Sequence, residues 1–369
     1  MPTPEYFIGL MSGTSVDGVD AALVAIDGDQ FQLIDFVEHP LPTDLKSQLV
    51  GLNLQNEISL QAFCDLEYQV AQQFVDATAK LLKHSEFNAS KITAIGSHGQ
   101  TIFHAPKTPM SLQVGHPAFI AKQTGIDTAA DFRIDNLAVG GQGAPLAPAF
   151  HRRLFSVNEQ ACVINIGGIA NISYLGTEKD LTYGFDTGPG NGLMDEICQK
   201  QFNCAYDKDG EIAASGNVDE SLLSRLLQHP YLIQPFPKST GRETFNLDWL
   251  NSQLSEHKQA IKPADLMATL CEFTAASIQT GIEQLGIQDC DIWIVGGGAL
   301  NPELIRRIQS RLPGFKVSGS QNIDVNPNAV EAMMCAWLAQ QRIHQTPVQL
   351  QKITGSTRDV ILGGLWTAN

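Results

Sequence analysis

Twice along this chain an apolar, strand-like run meets a glycine turn and continues into further strands, and this repetition restricts the fold more than any other feature. The first occurrence is a strand over 6–11, the polar glycine loop SGTSVDGVD, and strands over 21–26 and 31–37 joined through Asp27-Gly28-Asp29. The second is a strand over 162–166, the turn Gly167-Gly168 and a strand over 169–175. Helical periodicity follows each, over 59–83 in one case and 263–285 in the other. Strand, glycine loop and hairpin is a different order from the strand, loop and helix of a P-loop or Rossmann site. The pattern predicts a duplicated α/β domain.

The rest of the chain reads as connections around those two starts. Helices are expected over 116–124, 191–202, 219–228 and 328–343, the last with Glu331 near its start, and strands over 92–95, 291–295 and 315–318. A third glycine run, Gly296 to Gly298, follows the strand over 291–295 and leads to a helix opened by Asn301 and Pro302. Residues 128–148 read as a loop, and 229–246 as an ordered insertion because it holds Phe236 and Phe245. The tail is expected to close with a polar turn and a short strand.

Charge narrows the partners. Lys and Arg total 24 against 39 Asp and Glu, a formal charge of -15, which repels phosphate backbones and predicts neither nucleic acid nor membrane as a partner. A nucleotide stays open, since glycine turns bind phosphate with backbone donors. The 7 cysteines form no C-x-x-C pair and read as reduced structural thiols. The start lacks an export signal, and the expected location is cytoplasmic.

Candidate chemistry gathers in a few places. In the stretch 181–195, LTYGFDTGPGNGLMD, a strand runs into Asp186 and then crosses Gly188-Pro189-Gly190. Asp186 is either a turn or capping carboxylate or a base that takes a proton from a positioned water or hydroxyl. Asp131 and Arg133 are either a loop ion pair or ligand contacts, Arg133 offering two parallel donors to a carboxylate. His98 and Gln100 are candidates for the same pocket. Asp17 and Asp20 are solvated turn acids or hold Mg²⁺ through water. The spacing of His98, His104 and His116 matches no zinc pattern.

Several longer pieces, in order along nearly the whole chain, carry a resemblance: IGLMSGTSVDGVDAAL from Ile8, SHGQT from Ser97, ADFR from Ala130, GGQGAPLAP from Gly140, NIGGIANI from Asn165, GFDTGPGN from Gly184, VGGG from Val295 and NPNAVEAM from Asn326. In these the chain resembles the anhydro-N-acetylmuramic acid kinases, of the sugar-kinase, heat-shock ATPase and actin superfamily. The resemblance implies an α/β, two-lobed, duplicated actin-like (ribonuclease H-like) fold with a central interdomain cleft. The expected domains are 1–128 completed by 345–369, and 129–344.

It further implies ATP and Mg²⁺ as cofactors, 1,6-anhydro-N-acetylmuramic acid as substrate, N-acetylmuramic acid 6-phosphate as product, and a homodimer. Asp186 falls on the family's catalytic aspartate. Phosphate contacts are expected from Gly13, Thr14, Ser15, Val16, Asp17, Gly18, Val19 and Asp20, from Gly167 and Gly168, and from Gly296 and Gly297. Sugar contacts are expected from His98, Gln100, Asp131, Arg133 and Glu331. The superfamily's Asp-x-Gly-Thr is Met11-Ser12-Gly13-Thr14 here, so the acid that would assist a metal is absent. Asp17, Asp20 or Asp186 acting through water are the substitutes.

Overall fold

The computed structural model describes residues 4–13, 16–28, 30–55, 57–155, 160–177, 182–257 and 259–369. Thr14, Ser15, Asp29 and Leu181 lie outside them. The chain divides into two compact units, Met1–Ser156 with Ala329–Asn369, and Val157–Asn328.

The first unit begins with β1 (Glu5–Ser12), β2 (Gly18–Asp27) and β3 (Gln30–Pro40), consecutive antiparallel neighbours. Helices α1 (Thr43–Gln55) and α2 (Leu60–Ser85) lead to β4 (Ile92–Ala105), which returns parallel to β1. Ser59 caps α2 by accepting from Ala62 N at 3.2 Å, and Leu66, Val70, Phe74, Ala77 and Leu81 make its buried stripe at helical spacing. That stripe joins Ile8, Leu10 and Leu23 in one core. After β5 (Met110–Val114) and α3 (Pro117–Thr124) comes β6 (Thr128–Ala130), parallel to β4, then α4 (Ile134–Ala138) and α5 (Ala147–Leu154).

The second unit repeats the plan. Strands β7 (Ala161–Ile166), β8 (Ile169–Leu175) and β9 (Thr182–Pro189) are again consecutive and antiparallel. Helices α6 (Gly192–Ile197), α7 (Glu211–Ser215), α8 (Glu220–Leu226), α9 (Leu247–Ser255) and α10 (Pro263–Leu285) precede β10 (Asp291–Val295), which is parallel to β7. Helix α11 (Pro302–Arg311) connects to β11 (Lys316–Gly319), parallel to β10. Buried residues of α8, α10 and α11 surround Ile164, Ile172 and Ile294 in this unit's core.

The chain then returns to the first unit with α12 (Val330–Ile343), α13 (Gln351–Thr354) and β12 (Gly364–Trp366), which pairs antiparallel with β6. Helix α12 packs on β1, β2 and β4. Alternation sends Ile8 and Leu10 towards α2, whereas Gly9 and Gly96 face α12. A Cβ on Gly9 would lie 1.7 Å from Ala332 O, and one on Gly96 1.9 Å from Cys335 O, so the helix backbone rests on the bare strands.

The sheet orders make the duplication explicit. The seven-stranded sheet runs β12-β6-β4-β1-β2-β3, with β5 on β4, and the five-stranded sheet runs β11-β10-β7-β8-β9. Each has an antiparallel meander followed by two strands parallel to its first. This is the duplicated, actin-like α/β fold.

Three readings change. Residues 128–148 hold β6, α4 and the start of α5, not a continuous loop. The expected boundaries at 128/129 and 344/345 fall inside the first unit, because β6 completes its sheet and α12 covers it. A short helix, α13, precedes the tail turn, and the closing strand is Gly364–Trp366 at the end of the expected apolar run. All seven cysteines are free, five of them buried, as packing thiols should be. No helix among the described residues is long and apolar enough to cross a membrane.

Candidate active site

Asp186 lies within β9, three positions before its end at Pro189, and not at a strand's mouth as its glycine-rich surroundings suggest. Pairing sets Asn165, Asn171 and Asp186 opposite one another across β7, β8 and β9, so the three share one face of the sheet. Strand β9 is the outer strand, and residues 238–240 run along its free edge. Asp186 N donates to Lys238 O at 3.2 Å, and Thr240 N donates to Asp186 Oδ2 at 2.9 Å. Tyr231 Oη donates to Asp186 O at 2.8 Å. No described residue donates to Oδ1.

Lys238 secures this strap. Its Nζ is buried, donates to Leu232 O at 2.8 Å and Tyr231 O at 3.3 Å, and lies 5.7 Å from the Phe185 ring and 5.0 Å from the Tyr231 ring. Burial pushes the Asp186 carboxyl up to about 7, opposed by the Thr240 N–H, reinforced by Glu243 and opposed again by Lys238. Burial brings Lys238 down to about 8, against the pull of Asp186. The Tyr231 phenol is pushed up by the same burial.

Two of the glycine turns belong to this unit. Gly167-Gly168 joins β7 to β8, and Gly296-Gly297 follows β10, the strand directly beside β7 and parallel to it. Both turns therefore leave the carboxyl ends of neighbouring strands, where open α/β sheets bind ligands. The first is braced by Gly190 and Gly192, which donate to Gly168 O at 3.0 and 3.1 Å, and by Asn191, which donates to Gly167 O at 2.7 Å. A Cβ on Gly190 would come 2.3 Å from Gly167 O, so only glycine allows this contact. Gly296 N donates to Pro327 O at 3.0 Å. Arg242 lies against Gly168: a Cβ there would be 3.4 Å from Arg242 Nε and 3.6 Å from Nη2.

In the first unit, Gln100 braces the loop after β1 instead of facing a ligand. Its Nε2 donates to Gly13 O at 3.2 Å and Thr101 O at 3.3 Å, and its Oε1 lies 2.6 Å from Ser12 Oγ. Val16 and Val19 are core residues, leaving only their backbone to a phosphate. Asp17 is exposed and paired with Lys46 Nζ at 2.5 Å. Gly18 starts β2. Burial, with help from Glu38, Glu331 and Asp17, raises Asp20 to about 7.

His98 and Arg133 meet. Arg133 Nε and Nη2 lie 3.1 and 2.9 Å from His98 Nε2, and Nη1 donates to Gly143 O at 2.8 Å. His98 Nδ1 is 2.9 Å from Gly99 O, which makes it the protonated nitrogen and Nε2 the acceptor. Burial, then the adjacent guanidinium, lower His98 to about 3 and keep it neutral. Burial lowers Arg133, and the charge of Glu331, which also helps raise Asp20, partly offsets that lowering. The Asp131–Arg133 ion pair is not formed. Asp131 has φ 61° and an exposed side chain whose carboxyl is only partly desolvated by the surrounding chain; that partial desolvation, then the charge of Asp135, raise it. His104 sits 3.1 Å from Ser111 Oγ and His116 caps α3. No group of three or more His, Cys, Asp or Glu among the described residues could hold a metal.

The sequence profile described as anhydro-N-acetylmuramic acid kinase matches residues 5–368. The chain belongs to that family. A relative from Hydrogenovibrio crunogenus named anhydro-N-acetylmuramic acid kinase is 54% identical over 365 residues, 99% of each chain. One of the same name from Vibrio cholerae is 46% identical over 374 residues, again 99% of each. Component A of (R)-2-hydroxyglutaryl-CoA dehydratase from Acidaminococcus fermentans, a solved structure, aligns over 90% of this chain and 96% of its own at 10% identity and a TM-score of 0.48, too distant to bear on chemistry.

Around Asp186, Tyr231, Lys238, Thr240 and Arg242 were not foreseen from the sequence. Their signal was the ordered insertion itself. Nothing in its Pro- and Gly-rich sequence says that it lies along β9.

Proposed function

We propose that this protein is an ATP-dependent kinase that opens 1,6-anhydro-N-acetylmuramic acid with water and phosphorylates O6, giving N-acetylmuramic acid 6-phosphate and ADP in cell-wall recycling. The observation that carries the reading is Asp186, held on Oδ2 by Thr240 N–H, with no described donor on Oδ1 and basic enough near neutrality to take a proton. The substrate has no free 6-hydroxyl, so O6 becomes available only when the bridge opens. Water gives a proton to Asp186 as its oxygen bonds to C1, and the C1–O6 bond breaks with the pair on O6. That oxygen bonds to the γ-phosphorus while the bond to the β,γ-bridging oxygen breaks, its pair leaving with ADP.

The phosphates are assigned to the Gly167–Gly168 and Gly296–Gly297 turns and to the loop 13–20, and the sugar to Arg133, Asp131 and Glu331. Arg133 retains a free donor on each terminal nitrogen for the lactyl carboxylate. Gln100 and His98 position these groups. Mg²⁺ would neutralise charge on the phosphate oxygens. Asp20 is the acid suited to meet its water, since a cation beside it would relieve the repulsion from Glu38 and Glu331. The reading also includes a cytoplasmic location, favoured by the free thiols, no nucleic-acid or membrane partner, favoured by the -15 charge, and a homodimer, which rests on the family resemblance.

The test is mass analysis of product formed from the anhydro-sugar, ATP and Mg²⁺ in H₂¹⁸O at early times. We expect one label at C1, and for Asp186→Asn a fall in turnover of at least about 100-fold with nucleotide binding kept. Unlabelled C1 would indicate direct transfer to a pre-existing hydroxyl. Near-normal D186N turnover would remove Asp186 as the base.

A further inference from the structure

We propose that Arg242 is a second catalytic residue of this site, its guanidinium gripping the oxygens of the transferring phosphoryl group at the Gly167–Gly168 turn. The inference rests on the kinase reading above and adds a residue to it.

Arg242 Nε is buried without a hydrogen-bond partner. A buried, charge-bearing donor left unpaired is destabilising, so an acceptor that arrives with a ligand is the natural complement. The guanidinium lies against Gly168, where a Cβ would stand 3.4 Å from Nε. Its charge favours the ionised form of Glu196, yet among the described residues no ion pair joins Arg242 to Glu196 or to the exposed Glu243. Thr240 Oγ1, two residues earlier, is also buried and unpartnered.

The strap gives this placement its meaning. Thr240 N holds the Asp186 carboxylate at 2.9 Å, so one short segment presents both the support of the base and a cation beside the glycine turn. As O6 bonds to the γ-phosphorus and the β,γ-bridging oxygen departs with its electron pair, negative charge spreads over the oxygens in between. Arg242 would donate to those oxygens through N–H groups, forming no covalent bond and giving up no proton.

The experiment compares wild type with Arg242→Ala and Arg242→Gln, the latter keeping much of the stem's packing. We expect kcat to fall by roughly 10²–10³-fold, with ADP affinity within about threefold and the melting temperature unchanged. Millimolar guanidinium should restore part of the R242A rate by occupying the vacated volume. Retention of kcat within about fivefold would overturn the proposal, as would a loss matched by equal weakening of ADP binding or by unfolding of R242Q. With wild type and D186N run alongside, an inactive D186N beside a normal R242A rejects this inference alone, whereas a wild type that forms no phosphorylated product from the anhydro-sugar and ATP rejects the underlying kinase reading.

Discussion

At Asp186, burial and a single backbone hydrogen bond pull in opposite directions, and burial wins. A carboxyl raised to about 7 is ionised only above that pH, so kcat/KM should fall about tenfold per unit below it and level off above it. Lys238 favours the ionised form. Lys238→Met removes that charge, raises the carboxyl further and should shift the acidic limb upward by as much as about one unit. A pH–rate profile whose limb stays put or moves down would refute the assignment. Asp186, His98 and Arg133 were legible as residues because their types suit the chemistry. Their states were not: His98 is held neutral, and Arg133 spends three donors on His98 and Gly143, through contacts that sequence spacing does not encode.

Among the elements, α12 does more than cover a sheet. It starts one residue before Glu331 and rests on Gly9 and Gly96, so its height above the strands sets where Glu331 stands. Gly96→Ala would place a Cβ 1.9 Å from Cys335 O. We expect a loss of about 2 kcal/mol or more, read from the denaturant midpoint, together with a raised KM for the sugar. An unchanged midpoint would show that the helix yields freely. Long amphipathic α2 and α10 were readable because their apolar stripes persist over many turns. Helix α1 was not, since among its described residues only Leu45 and Leu49 are buried, with Leu52 half-buried against the same core. Strand β9 was cut short because Gly188 and Pro189 resemble a turn, whereas on an outer strand proline's missing N–H costs little.

Over the whole chain, the repeat was visible in the two strand–glycine–strand starts, but the domain limits were not, because β6 and α12 belong by pairing and packing to a unit from which they look separable in sequence. The second unit has its own sheet and core. Expressed alone, residues 157–328 should melt in one cooperative transition, and a broad, structureless melt would contradict that. The nesting of one unit within the other also orders events on the ribosome. Residues 157–328 emerge as a complete folding unit, while the earlier-made strands β1 and β4 still lack α12. A nascent chain stalled before Ala329 would thus carry a finished second half and a first half whose glycine-lined face is bare and prone to stick.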